Sequence, residues 1–162
     1  MFVRINAFEF YINLKGVFRM SVNVYMIFNG NCQEAVEYYA EVFGTGMPEI
    51  SRYGDMPPEP GWELPEGAKN LVMHTSLDIH GSAVMFSDTM PDSQVPFGKN
   101  INVTIVSDDL EKMTEEFNRL GKDGKIQMEM QKTFWSSGYG MLEDKFGIPW
   151  QFSHDDGTNM NT

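Results

Sequence analysis

"VNVYMIFNGNCQEAVEYYAEVFG", residues 22 to 44, reads as a strand followed by an amphipathic helix. The apolar run "VNVYMIF" ends at Asn29-Gly30, and Asn31 with Glu34 three positions on has the form of a helix N-terminal capping pair. Ala35, Tyr39, Val42 and Phe43 then fall on one helical stripe, which Gly44 or Gly46 closes. The same sentence is written again in "INVTIVSDDLEKMTEEFNRLG", residues 101 to 121. There Asp108 and Glu111 repeat the capping pattern, Leu110, Met113, Phe117 and Leu120 make the stripe, and Gly121 closes it. Cys32 and Leu110, Ala35 and Met113, Tyr39 and Phe117, Val42 and Leu120 are each 78 positions apart (110 less 32, and so on). A shared offset at four apolar positions predicts a duplicated unit.

Only strands follow each helix. The first half continues with "EISRYG" (49–54), a Pro/Gly-rich loop over 55–69, then "NLVMHTSLDI" and "SAVMFSD" joined by His80-Gly81, a two-residue hairpin signal. The second continues with "KIQMEMQKTFW", "YGMLED" and "PWQFSH". Each unit is therefore β-α-β-β-β, and the expected fold class is α+β: two such modules forming a curved mixed sheet around a cleft, with the helices outside. Strand parity places Leu71, Met73, Leu77 and Ile79 on one face and Val72, His74, Ser76 and Asp78 on the other. It likewise sets Ile101, Val103 and Ile105 against Asn102, Thr104 and Val106, and Trp150 and Phe152 against Gln151 and Ser153. The apolar faces are expected to meet the helices; the polar, mostly uncharged faces suit either a solvated surface or a hydrogen-bonding cleft. Near the C-terminus, "EDKFGIP" reads as the tight link between the last two strands, with Gly147 free to adopt positive φ and Pro149 entering the final strand.

Composition bounds the rest. The 162 residues, 41% hydrophobic and 13% aromatic, suffice for one well-packed domain. A net charge of -11 repels phosphate backbones and anionic lipid, so neither nucleic acid nor membrane is an expected partner. No apolar run reaches the length of a membrane span, and a single cysteine, Cys32, makes the cytoplasm the expected compartment. Residues 1–20 form an N-terminal extension with two readings: an extra strand built on the alternation of Phe8, Phe10, Ile12 and Leu14, or translation from upstream of a natural start at Met20. Residues 21–155 are the domain and 156–162 a C-terminal tail.

"YMIFNGNCQEAVEYYAEVFG", "MHTSLDIHGSAVMFSDTMP" and "TFWSSGYGMLEDKFGIPWQF" together resemble the PhnB-like branch of the vicinal oxygen chelate superfamily, which includes glyoxalases, bleomycin-resistance proteins and extradiol dioxygenases. The resemblance implies paired βαβββ modules, a homodimer, and a small organic ligand or a divalent metal in the concave face. Some members carry the label 3-demethylubiquinone methyltransferase. The chain has no Gly-rich strand-turn-helix to seat a nucleotide-like cofactor, so that label finds no support in its motifs.

Metal-using relatives hold a cation with His or Glu on four inward strands; Val24, Asn102 and Gln151 stand near three of those positions and Met85 near the fourth. These are poor ligands, and no metal or other cofactor is expected. The expected ligand-binding residues are His74, Ser76, Met85, Asn102, Thr104, Trp135, Tyr139 and Gln151. His74 and Asp88 are the candidates for moving a proton, although a strand-end aspartate is more often a turn residue. Cys32 reads as a small residue facing the sheet, and the loop over 55–69 as a cover for the cleft mouth through Trp62. The expected function is thus small-molecule binding. A lyase, isomerase or dioxygenase of the same superfamily is the alternative, and a scaffold whose cleft is filled by its own side chains is a third.

Overall fold

A computed structural model describes residues 22–57, 60–61 and 63–157. The alternation at 8–14 and Trp62 lie outside the described residues. The elements run β1 (Val24–Phe28), α1 (Cys32–Phe43), β2 (Ser51–Arg52), β3 (Val72–Ile79), β4 (Ser82–Asp88), β5 (Val103–Ser107), α2 (Leu110–Gly121), β6 (Lys125–Gln131), β7 (Tyr139–Glu143) and β8 (Pro149–His154). Short 3-10 turns at Tyr53–Asp55 and Ala68–Asn70 flank the loop.

The duplication is explicit in the topology. The first sheet is ordered β1-β4-β3-β2 and the second β5-β8-β7-β6, each with its first and last strands parallel and the other pairs antiparallel. Both helices have 12 residues. The strands, however, repeat at an offset of 79 (103 less 24) where the helices repeat at 78 (110 less 32). One residue is absorbed in the turn, so Tyr25 corresponds to Thr104 and Met26 to Ile105. The α+β class with two mixed-sheet modules holds, with the strands forming two four-stranded sheets rather than one.

Each helix covers one face of its sheet, and the covered faces share a single core. The modules meet through aromatics. Tyr39 and Phe43 of α1 lie 5.7 and 5.5 Å, centroid to centroid, from Trp150 of β8, and Phe28 meets Phe146 edge-on at 6.0 Å. The Tyr38 hydroxyl donates to the carbonyls of Arg119 and Leu120, tying α1 to α2. Asp144 closes the junction: Oδ2 accepts from the Tyr39 hydroxyl (2.6 Å) and Trp150 Nε1 (2.8 Å), while Oδ1 accepts from the amides of Phe146 (2.9 Å) and Ile148 (3.0 Å). Gly147 adopts φ +83 in this turn, so the aromatic-rich C-terminal stretch is organised around one buried carboxylate.

Several local expectations are corrected. Asn31 makes no side-chain cap; the N-terminus of α1 is satisfied from across the sheet by Asp88, whose Oδ1 accepts from the amides of Gly30 and Cys32 (both 2.9 Å). In α2 the cap is Asp109, not Asp108, accepting from the Lys112 amide at 3.0 Å, and the helix runs through Gly121. "EISRYG" keeps only two strand residues before the chain turns, and "KIQMEMQKTFW" pairs only to Gln131. Val72 is buried despite its even parity, because the β2 pairing shifts register there and its amide is drawn to Asp88 Oδ2 at 2.9 Å. Ile101 precedes β5 and is exposed.

Candidate functional site

The faces of the sheets turned away from the helices carry most of the side chains in question. In the first sheet, Tyr25 and Ser76 flank Met85 in register. His74 is exposed on the same face, with Nδ1 3.4 Å from the Tyr25 hydroxyl. In the second, Thr104, Gln151, Met141 and Met128 form one row across four strands, and Val106, Ser153 and Tyr139 the next. Trp135 stacks edge-on against Tyr139 at 5.5 Å and Phe134 against Trp135 at 4.4 Å. The expected ligand residues therefore divide into two groups: His74, Ser76 and Met85 on the first sheet, and Thr104, Gln151, Tyr139 and Trp135 on or beside the second.

A cleft of about 420 Å³ opens between the sheets, bounded by the β3–β4 hairpin and Val24 on one side and the β5 segment from Asn102 to Val106 on the other, with Trp150 at its base. Its volume is that of a small-molecule pocket. Apolar Val24, Ile79, Val84 and Ile105 make most of the wall, while His80, Ser82, Asn102 and Thr104 supply polar groups. Thr104 belongs both to the cleft and to the open row through Gln151.

Sequence reasoning missed His80 as part of this lining. It occupies the left-handed turn position of the β3–β4 hairpin (φ +52), where Nε2 sits 2.8 Å from Oε2 of Glu116, a buried carboxylate on α2. The only trace in sequence is that Glu116 sits on the apolar side of the helix between Met113 and Phe117. Val24, near a metal position by alignment of the strand-helix junctions, shares its side with Met26 and Phe28, so the open-face residue of β1 is Tyr25.

The side chains in register on the open faces are Tyr25 with Met85 and Thr104 with Gln151. A phenol, a thioether, a hydroxyl and an amide do not fit a divalent cation. Among the described residues no group of three or more His, Cys, Asp or Glu is placed to hold one. Asp88 is 3% exposed and directs both oxygens to backbone amides at β3 and the α1 N-terminus.

Cys32 lies fully buried beside it, and burial first, then the Asp88 carboxylate, pushes its thiol up to about 12. It is expected to resist thiol-disulfide reagents at pH 8 except at the rate of unfolding, as followed by absorbance. Burial also raises Tyr39 well above 10.0, with Asp144 adding to it. Both groups hold their protons longer in the folded chain. Their contribution to stability is therefore fully present below about pH 9 and is lost as pH rises toward 12, an alkaline loss measurable by urea titration.

The family model described as 3-demethylubiquinone-9 3-methyltransferase matches residues 20–153. Protein YjdN of Escherichia coli (strain K12) is 32% identical over 143 residues, covering 83% of this chain and 95% of that protein. Among solved structures, protein PA1353 from Pseudomonas aeruginosa superposes with a TM-score of 0.72 at 31% identity, covering 85% of this chain and 98% of that one. The Bacillus cereus protein titled putative 3-demethylubiquinone-9 3-methyltransferase, PhnB protein, gives 0.66 at 25% identity, covering 84% and 100%. No helix among the described residues is long and apolar enough to cross a membrane. The chain belongs to the family of that description, the PhnB-like proteins with the vicinal oxygen chelate fold.

Proposed function

We propose that the protein is a cytoplasmic homodimer that binds a small, uncharged, largely apolar organic molecule in the cleft between β5 and the β3–β4 hairpin. The observation that carries this reading is the cleft itself: a mostly apolar wall of ligand-sized volume with neutral hydrogen-bonding groups at Ser82, Asn102 and Thr104. Asn102 and Thr104 contact the ligand directly. From Thr104 the ligand reaches Gln151, Tyr139 and Trp135, while His74, Ser76 and Met85 of the partner subunit's first sheet close over it. Exposed Tyr25, Ile27, Val106, Phe134 and Trp135 on or beside the open faces favour such covering by a second copy.

The competing reading is a lyase, isomerase or dioxygenase, with His74 moving a proton and Tyr25 orienting it. Its metal-dependent form is tested by titrating the purified chain with zinc, nickel and iron(II) beside a His74→Ala variant. The binding reading predicts no metal retained through dialysis in either. One metal per chain, lost in the variant, would replace it with a metalloenzyme.

A further inference from the structure

Outside the cleft, the turn between β6 and β7 meets the end of β8 in an arrangement with its own chemistry. Ser137 is exposed, and its Oγ lies 2.5 Å from Nδ1 of His154, which is 7% exposed. The other ring nitrogen, Nε2, lies 3.1 Å from the backbone carbonyl of Asp108. A carbonyl oxygen can only accept, so Nε2 carries the proton in that contact. In the neutral ring Nδ1 then presents its lone pair, and the Ser137 hydroxyl donates to it. This is an accessible hydroxyl, a base within reach of its proton, and a third group that fixes the base's tautomer and orientation.

The support is rigid. Ser136, buried next door, donates to the carbonyls of Gly138 (2.9 Å) and His154 (2.8 Å), and the His154 amide donates to the Gly138 carbonyl at 2.7 Å. Gly138 packs beneath Leu110, whose terminal methyl would have to shift to admit a Cβ there, while the His154 Cβ stands at ordinary contact distance, 3.5 Å. Asp108, whose carbonyl meets His154, and Asp155, next to that histidine in the chain, line with Asp156 and His80 a surface depression that disfavours anions.

We propose that Ser137 and His154 form a nucleophilic pair that hydrolyses neutral acyl esters of phenols, an activity separate from ligand binding in the cleft. Ser137 Oγ attacks the ester carbonyl carbon as its proton passes to His154 Nδ1. The bond to the phenol oxygen then breaks, and His154 returns the proton to the departing phenolate. Water attacks the acyl-Ser137, giving its proton to His154, and the carboxylic acid leaves as the serine is restored. One ester and one water become one acid and one phenol. At the Nε2 contact a neutral carbonyl stands where a serine-histidine-aspartate triad has a carboxylate, which favours esters with good leaving groups.

The test treats the full chain with a fluorophosphonate probe and, separately, with 4-nitrophenyl butyrate. One adduct per chain, located on Ser137 by peptide mass, and ester hydrolysis above buffer are expected, both lost in Ser137→Ala. His154→Gln should slow labelling by about 10²- to 10⁴-fold, the usual worth of a general base. No adduct on the folded wild-type chain, or equal labelling of Ser137→Ala, overturns the proposal, as does a folded His154→Gln that labels at the wild-type rate. Should that variant fail to fold by circular dichroism, acylation of the wild type in D2O decides. Slower acylation than in H2O supports proton transfer to His154, and an unchanged rate contradicts it.

Discussion

Replacing Asp144 with alanine is expected to cost about 4–5 kcal/mol, near the upper end for a single substitution. The carboxylate accepts four hydrogen bonds, two from buried side chains on different elements and two from the amides of its own turn. Bonds to charged acceptors contribute about 1.5–3 kcal/mol each, and donors left buried without partners carry a desolvation cost; the contributions overlap and do not simply add. For a chain of this length the melting temperature should drop by about 10–15 °C. Tyr39→Phe removes one donor to the carboxylate and should cost only about 1.5–3 kcal/mol. Urea denaturation of both variants checks the ordering. A loss below about 1 kcal/mol for Asp144→Ala would mean that the aromatic junction holds the modules together without its carboxylate.

Asp88→Ala should cost about 3 kcal/mol, because three amides on two elements, those of Gly30, Cys32 and Val72, lose their acceptor together. The informative comparison is Asn31→Ala, at the residue whose position suggests a cap. Having no capping bond there, it should change stability by less than about 0.5 kcal/mol, whereas Asp109→Ala, at the real cap of α2, should cost about 1 kcal/mol. If Asn31→Ala proves more damaging than Asp88→Ala, the account of how α1 begins is wrong.

These variants mark how far the sequence could be read. Helical stripes and strand alternation depend on residues a few positions apart, so both modules, their order and the positive φ of Gly147 were legible. Partnerships across the fold were not. Asn31 and Glu34 have the spacing of a local cap, but Asp88, 56 positions from Cys32, takes the amides because it is buried beside them. Glu116 looks like an interruption of an apolar stripe until the β3–β4 hairpin brings His80 to it. In the site, one residue of strand parity separated Val24 from Tyr25, since helix and strand repeat at offsets that differ by one. The polar face carrying His74, Ser76 and Gln151 could be read from alternation. Its division between two sheets could not, because nothing local in sequence records which edges fail to pair.

Native mass spectrometry of the chain purified without added metal, beside a Ser82→Trp variant that fills the cleft rim, tests the central claim most directly. The account predicts a dimer whose mass exceeds two polypeptides by that of a small organic molecule, and a variant that stays dimeric but loses the extra mass. A monomer without added mass, or a retained molecule that Ser82→Trp does not displace, would contradict it.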